Sequence, residues 1–185
     1  FDPSPESLAV TTQKYWGSAG VRLTVGFLDN ASAELRRRII SHMNAWGAWA
    51  NVEFTATDTD PQVRIARTRD DGYWSYLGTD VLSINDDEPT MNLDSFTMNT
   101  PDSEFHRVVR HETGHTLGFP HEHMRKEIID RIDREKAIEL FMRTQGWSRK
   151  EVIAQVLTPF AVSALKATAV TDVNSIMCYD LPGSI

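Results

Sequence analysis

Apolar and polar positions alternate over residues 21–28, where Val21, Leu23, Val25 and Phe27 are separated by Arg22, Thr24 and Gly26. A period of two predicts a strand with one covered face. The period then changes. After Asp29-Asn30-Ala31-Ser32, which suits a helix start, Leu35, Ile39, Met43 and Trp46 recur at helical spacing. A second strand is predicted over residues 63–67. Further extended segments are expected at 73–77, 81–84 and 90–96, divided by Gly, Asp and Pro signals. A helix is expected to open at Thr100-Pro101, with Pro at its first position, and to stop at Gly118-Phe119-Pro120. Beyond it the pattern is mostly helical. Residues 133–144 read as one helix, and Ser148-Arg149-Lys150-Glu151 is a capping box opening another. Strands therefore precede a motif helix and a helical C-terminal part, an α/β or α+β domain with its chemistry at the junction.

With 185 residues, 41% of them hydrophobic, the chain is long enough for one domain with a real core. A formal charge of −7 argues against nucleic acid or an anionic membrane as partner. No apolar run approaches the roughly 20 residues that span a bilayer. The start, Phe1-Asp2-Pro3-Ser4-Pro5, lacks an initiator Met and a signal-like segment, and reads as a processed or trimmed product. The single cysteine, Cys178, excludes an intrachain disulfide without deciding the compartment.

The chemistry concentrates in His111-Glu112-Thr113-Gly114-His115-Thr116-Leu117-Gly118-Phe119-Pro120-His121. Histidines four apart share one helix face, so both imidazoles can reach a single ion. Zinc favours tetrahedral nitrogen ligation, and a catalytic site keeps one position for water. Gly118 can adopt φ > 0 and turn the chain back, so that His121 supplies a third ligand from outside the helix. Glu112 is placed to act as general base towards a metal-activated water and then as acid towards a leaving amine. That chemistry hydrolyses peptides without a serine or cysteine nucleophile. His123 competes with His121 for the third position, and the spacing from Gly118 favours His121. His42 and His106 read as packed or surface residues, Cys178 as a small buried one. The carboxylates of Asp70-Asp71 and Asp86-Asp87-Glu88 suit solvated turns, with calcium binding as the alternative.

A second signal lies at Ser175-Ile176-Met177-Cys178-Tyr179. The histidine pattern followed by a Met-turn is the metzincin signature. Together with His121-Glu122-His123-Met124-Arg125 and Trp74-Ser75-Tyr76-Leu77-Gly78, it closely resembles the astacin family of metzincins. The resemblance spans about residues 15 to 180 and is dense at 73–78, 111–125 and 175–179. It implies a zincin fold, with a twisted mixed sheet and helices above a cleft and a smaller, mostly helical lower subdomain. Residues 1–185 would then be one catalytic domain, the upper subdomain about 1–118 and the lower about 119–185.

The resemblance also implies roles. Met177 would floor the zinc, which physically is also core packing. Tyr179 would be a switchable further ligand that stabilises the oxyanion; the alternative is a buried tyrosine with a satisfied hydroxyl. Glu122 would anchor the mature N-terminus or else be a plain carboxylate at a helix end or surface. Trp74, Ser75 and Tyr76 would form the edge strand that substrate joins by backbone pairing, with residues 81–84 as second choice. It implies further a secreted monomer acting on proteins or peptides, with a propeptide inhibitor removed ahead of Phe1. Departures are the absence of paired cysteines, Cys178 where the turn commonly has His, and the short stretch after Tyr179. The rival functions are a catalytically retired zinc-binding recognition module and a metal-free structural or inhibitor-like domain.

Overall fold

A computed structural model describes residues 9–167 and 175–178. They fall into two compact units, one of Gln13–Phe119 and one combining Phe1–Thr12 with Pro120–Ile185. Strand β1 (Ala9–Thr11) thus belongs with the C-terminal unit, although order along the chain would put it in the first.

In the first unit, β2 (Val21–Phe27) leads into α1 (Ala33–Met43) and then β3 (Val52–Ala56), which lies parallel to β2. A parallel pair needs such a crossover, and α1 supplies it. The Ser32 hydroxyl accepts from the Leu35 N–H at 3.2 Å and caps the helix. Leu35, Ile39 and Met43 form the buried stripe that their spacing predicts. The sequence pattern did not reveal β3, because only Phe54 on it is buried. Its backbone is instead gripped by the Asn44 side chain, which accepts from the Phe54 N–H at 2.8 Å and donates to its carbonyl at 2.9 Å.

Strands β4 (Val63–Ala66), β5 (Tyr73–Ser75) and β6 (Met91–Leu93) complete a five-stranded sheet in the order β3-β2-β4-β6-β5, parallel except for β5. Every residue of β4 and β6 is buried, as expected for inner strands covered on both faces. Arg64 is tolerated there because its guanidinium donates to the carbonyls of Glu88 (2.8 Å), Ile84 (3.0 Å) and Pro61 (3.1 Å).

Two expected extended segments are corrected. Residues 81–84 lie largely in a 3-10 turn, Gly78–Ser83, that starts where Gly78 takes φ 56° against the Lys14 carbonyl. Lys14 also pairs with Asp80 in this turn. The segment 90–96 is extended only through β6, because Ser95 turns the chain with φ 54°.

The motif helix is a composite. α2 (Asp102–Glu104) runs through a π-helical turn, Phe105–Val109, into α3 (Arg110–Thr116). Pro101 is its cap residue with extended ψ, one position earlier than expected, and its carbonyl accepts from Glu104 and Phe105.

The second unit is largely helical among the described residues. It contains α4 (Lys126–Ile129), α5 (Arg134–Gln145), α6 (Arg149–Val156) and β7 (Leu165–Ala167), which pairs antiparallel with β1. Asp133 caps α5, and Ser148 with Glu151 closes a reciprocal capping box on α6. Ala137, Ile138, Val152, Val156 and Leu157 form the buried cluster between these two helices. No helix among the described residues is long and apolar enough to cross a membrane.

Candidate metal centre

The helix α3 places His111 and His115 one turn apart, with ring centroids 4.7 Å from each other at 88°. Its C-terminus is closed by a Schellman motif. The Phe119 N–H bonds the Gly114 carbonyl at 2.9 Å and the Gly118 N–H bonds the His115 carbonyl at 2.8 Å. Gly118 takes φ 100°, which a side chain would strain. The Thr116 carbonyl, otherwise an orphan of the helix end, accepts from the Trp16 indole N–H at 2.8 Å.

After this turn His121 adopts an extended conformation. The structure brings together one ligand nitrogen from each of His111, His115 and His121, all within 4.8 Å of one another. His123 is fully buried beside His121, with centroids 5.2 Å apart, but is outside this set, as are His42 and His106. The Nδ1 of His115 lies 2.8 Å from the Phe119 carbonyl. A carbonyl only accepts, so Nδ1 is the donor in this contact and Nε2 is the ring atom left for a metal.

Glu112 is 5% exposed, and its Oε2 has no hydrogen-bond partner. Burial pushes its carboxyl up to about 8, with the charge of Arg107 pulling the other way. A buried carboxylate oxygen without a partner, on the residue that follows His111 in the same helix, is an arrangement that a nearby cation relieves. Three nitrogen donors match a catalytic zinc, so the residues present fit that metal.

Glu122 is buried and pairs with Arg125 at 2.9 Å, which corrects the reading of it as a surface carboxylate. Its proposed link to the N-terminus falls outside the described residues, as does Tyr179. Met177 is fully buried, and its carbonyl accepts from the Glu122 N–H at 2.8 Å. The Ser175 hydroxyl and carbonyl accept from the N–H groups of Met177 and Cys178, holding a tight turn.

Strand β5 lies at one edge of its sheet. Trp74 on this strand and Tyr76 just after it meet edge to face at 5.8 Å, and the Asp71 carboxylate holds the Trp74 indole at 2.9 Å. Ser75 Oγ bonds Thr116 Oγ1 at 2.9 Å, tying this strand to the residue after His115. The second choice for a substrate edge, residues 81–84, is excluded by its 3-10 conformation. The sequence reading missed the support given to α3 by Trp16 and Trp46. Trp46 stood out only as part of an apolar stripe, and Trp16 lies outside any periodic segment.

The family model of astacin, a family of peptidases, matches residues 9–182. Among solved structures, one of myroilysin superposes with a TM-score of 0.83 at 33% identity, covering 92% of this chain and 82% of that one. A crystal structure of myroilysin gives 0.67 at 32% identity, over 91% and 73% of the two chains. High choriolytic enzyme 1, a hatching enzyme zinc-protease from the medaka fish Oryzias latipes, gives 0.57 at 20% identity, over 91% and 74%, a likeness of fold. None of the curated proteins compared matches the chain.

Proposed function

The chain belongs to the astacin family of peptidases, and from that premise we propose that it is a zinc-dependent endopeptidase cleaving peptide bonds of proteins through an activated water. The observation that carries this reading is the convergence of His111, His115 and His121 beside a buried Glu112 whose Oε2 is unsatisfied. Zinc held by the three imidazoles would acidify a water and polarise the scissile carbonyl. Glu112 takes the proton from the attacking water and delivers it to the nitrogen of the leaving amine. A carboxyl that burial has already moved towards neutrality suits both halves of that transfer, since its two protonation states lie close in free energy near pH 7. A bound cation would draw its pKa down again and favour the carboxylate that starts the cycle.

Family likeness supports the remaining assignments. Tyr179 would donate a hydrogen bond to the oxyanion, Met177 would floor the metal, and Glu122 would anchor the mature N-terminus while holding Arg125. The substrate would add as a strand along Trp74, Ser75 and Tyr76, beside the sheet edge that β5 forms. Residues 1–185 would act as one catalytic domain, a monomer, secreted after loss of a propeptide.

The experiment is hydrolysis of a quenched-fluorescence peptide library, with and without a zinc chelator. Activity is expected to vanish on chelation and return with added zinc. Glu112→Gln is expected to lower kcat by about 10²–10⁴-fold. Hydrolysis that survives both treatments would refute the assignment.

A further inference from the structure

Zinc ligands on a helix are only as well placed as the residues that carry and flank them, and one side chain touches residues on both sides of the ligand pair. Trp46 lies in the 3-10 turn Asn44–Ala48 that follows α1 and is 2% exposed. Its indole N–H donates to the carbonyl of Arg110, the residue before His111, at 3.0 Å. Its ring stacks on Phe119, with centroids 5.3 Å apart and planes within 11°. Phe119 in turn offers the carbonyl that lies 2.8 Å from His115 Nδ1. A buried indole N–H needs an acceptor, and a directional bond to the helix backbone restrains both its rotation and its slide. The stack restrains the residue that sets the His115 tautomer and ring orientation.

We propose that Trp46 is a positioning residue for the metal: through Arg110 and Phe119 it holds His111 and His115 in the geometry that binds zinc. This role rests on reading the three histidines as a zinc site. Ordinary core packing would also bury Trp46, but core packing alone predicts that zinc affinity changes only as far as global stability does. The two accounts therefore separate in a comparison of affinity with stability.

The test uses the full chain in four forms: wild type, Trp46→Phe, Trp46→Leu and Val152→Ala. Trp46→Phe keeps a ring to stack and loses the donor, whereas Trp46→Leu loses both. Val152 is fully buried in the α5–α6 cluster, so Val152→Ala weakens a core without touching Arg110 or Phe119. For each, the zinc dissociation constant is measured by chelator competition and the melting temperature is measured on the metal-free protein. The cobalt(II)-substituted forms are compared by their visible spectra, which report ligand geometry. Trp46→Phe is expected to weaken zinc binding about 10-fold and Trp46→Leu by up to about 100-fold, with altered cobalt spectra. Val152→Ala is expected to lower the melting temperature with unchanged zinc affinity and spectrum. The role is overturned if Trp46→Phe binds zinc as wild type does with an unchanged spectrum, or if Val152→Ala weakens zinc equally. A wild-type chain that takes up no zinc would instead overturn the metal reading beneath it.

Discussion

At the scale of single residues, the carboxylates of Glu112 and Glu122 are removed from water. Glu112 is buried, and its carboxyl rises to about 8 against the opposing pull of the Arg107 charge. Glu122 is buried against Arg125 at 2.9 Å. The two differ in their surroundings: burial raises the Glu112 carboxyl, whereas Glu122 is paired with a guanidinium. Arg125→Met should therefore cost about 3–5 kcal/mol in denaturant unfolding, because it removes the guanidinium from a buried ion pair. A loss below about 1 kcal/mol would show that the pair is not structural. The candidate metal ligands were legible because His111, His115 and His121 obey helix period and turn geometry, both local rules. Glu122 was not, because burial arises from packing that a single run of residues does not reveal. Trp46 was legible as a core position, but its donor role required knowing that Arg110 lies opposite.

At the scale of elements, α3 works because of how it stops. The Schellman motif at Gly118 spends the last carbonyls of the helix within two residues and sends His121 out in extended form. Gly118→Ala puts a side chain at φ 100° and should destabilise the protein by about 1–3 kcal/mol. It should also weaken zinc binding, since the third ligand follows the strained turn. Calorimetry and zinc competition check the two effects separately; unchanged zinc affinity would show that His121 is positioned from elsewhere. Elements with explicit end signals were readable. Ser32, Asp133 and the Ser148–Glu151 box mark the helices α1, α5 and α6, and a cap is a few residues of local chemistry. The strands β1, β3 and β7 were not readable. The first and last pair only with each other, at opposite ends of the described chain, and β3 buries one residue. Residues 81–84 had an apolar strand composition, and the turn begun at Gly78 overrode it.

At the scale of the whole molecule, stability and catalysis should respond to pH through different groups. His42 is tucked between α1 and the composite helix, with its Nε2 3.5 Å from Asp102. Burial lowers its pKa below 6.5; Asp102 works in the opposite sense, while Arg110 and Arg38 reinforce the depression. Below pH 6.5 the unfolded chain therefore takes up a proton that the folded chain resists. The stability contributed by neutral His42 is complete above that pH and is lost as pH falls through the folded value. His42→Gln should flatten the acid limb of the stability curve, measured by denaturant unfolding at several pH values. An identical slope in the variant would assign the acid sensitivity to other groups. Catalysis, by contrast, should follow Glu112.

The proposed activity requires a zinc ion held by the three histidines, with Glu112 as base. The most direct measurement determines bound metal and peptide hydrolysis together, on wild type and Glu112→Ala purified without chelator. One zinc per chain in both proteins, with turnover in wild type alone, is the predicted result. Absence of zinc from wild type, or equal turnover by Glu112→Ala, would contradict it.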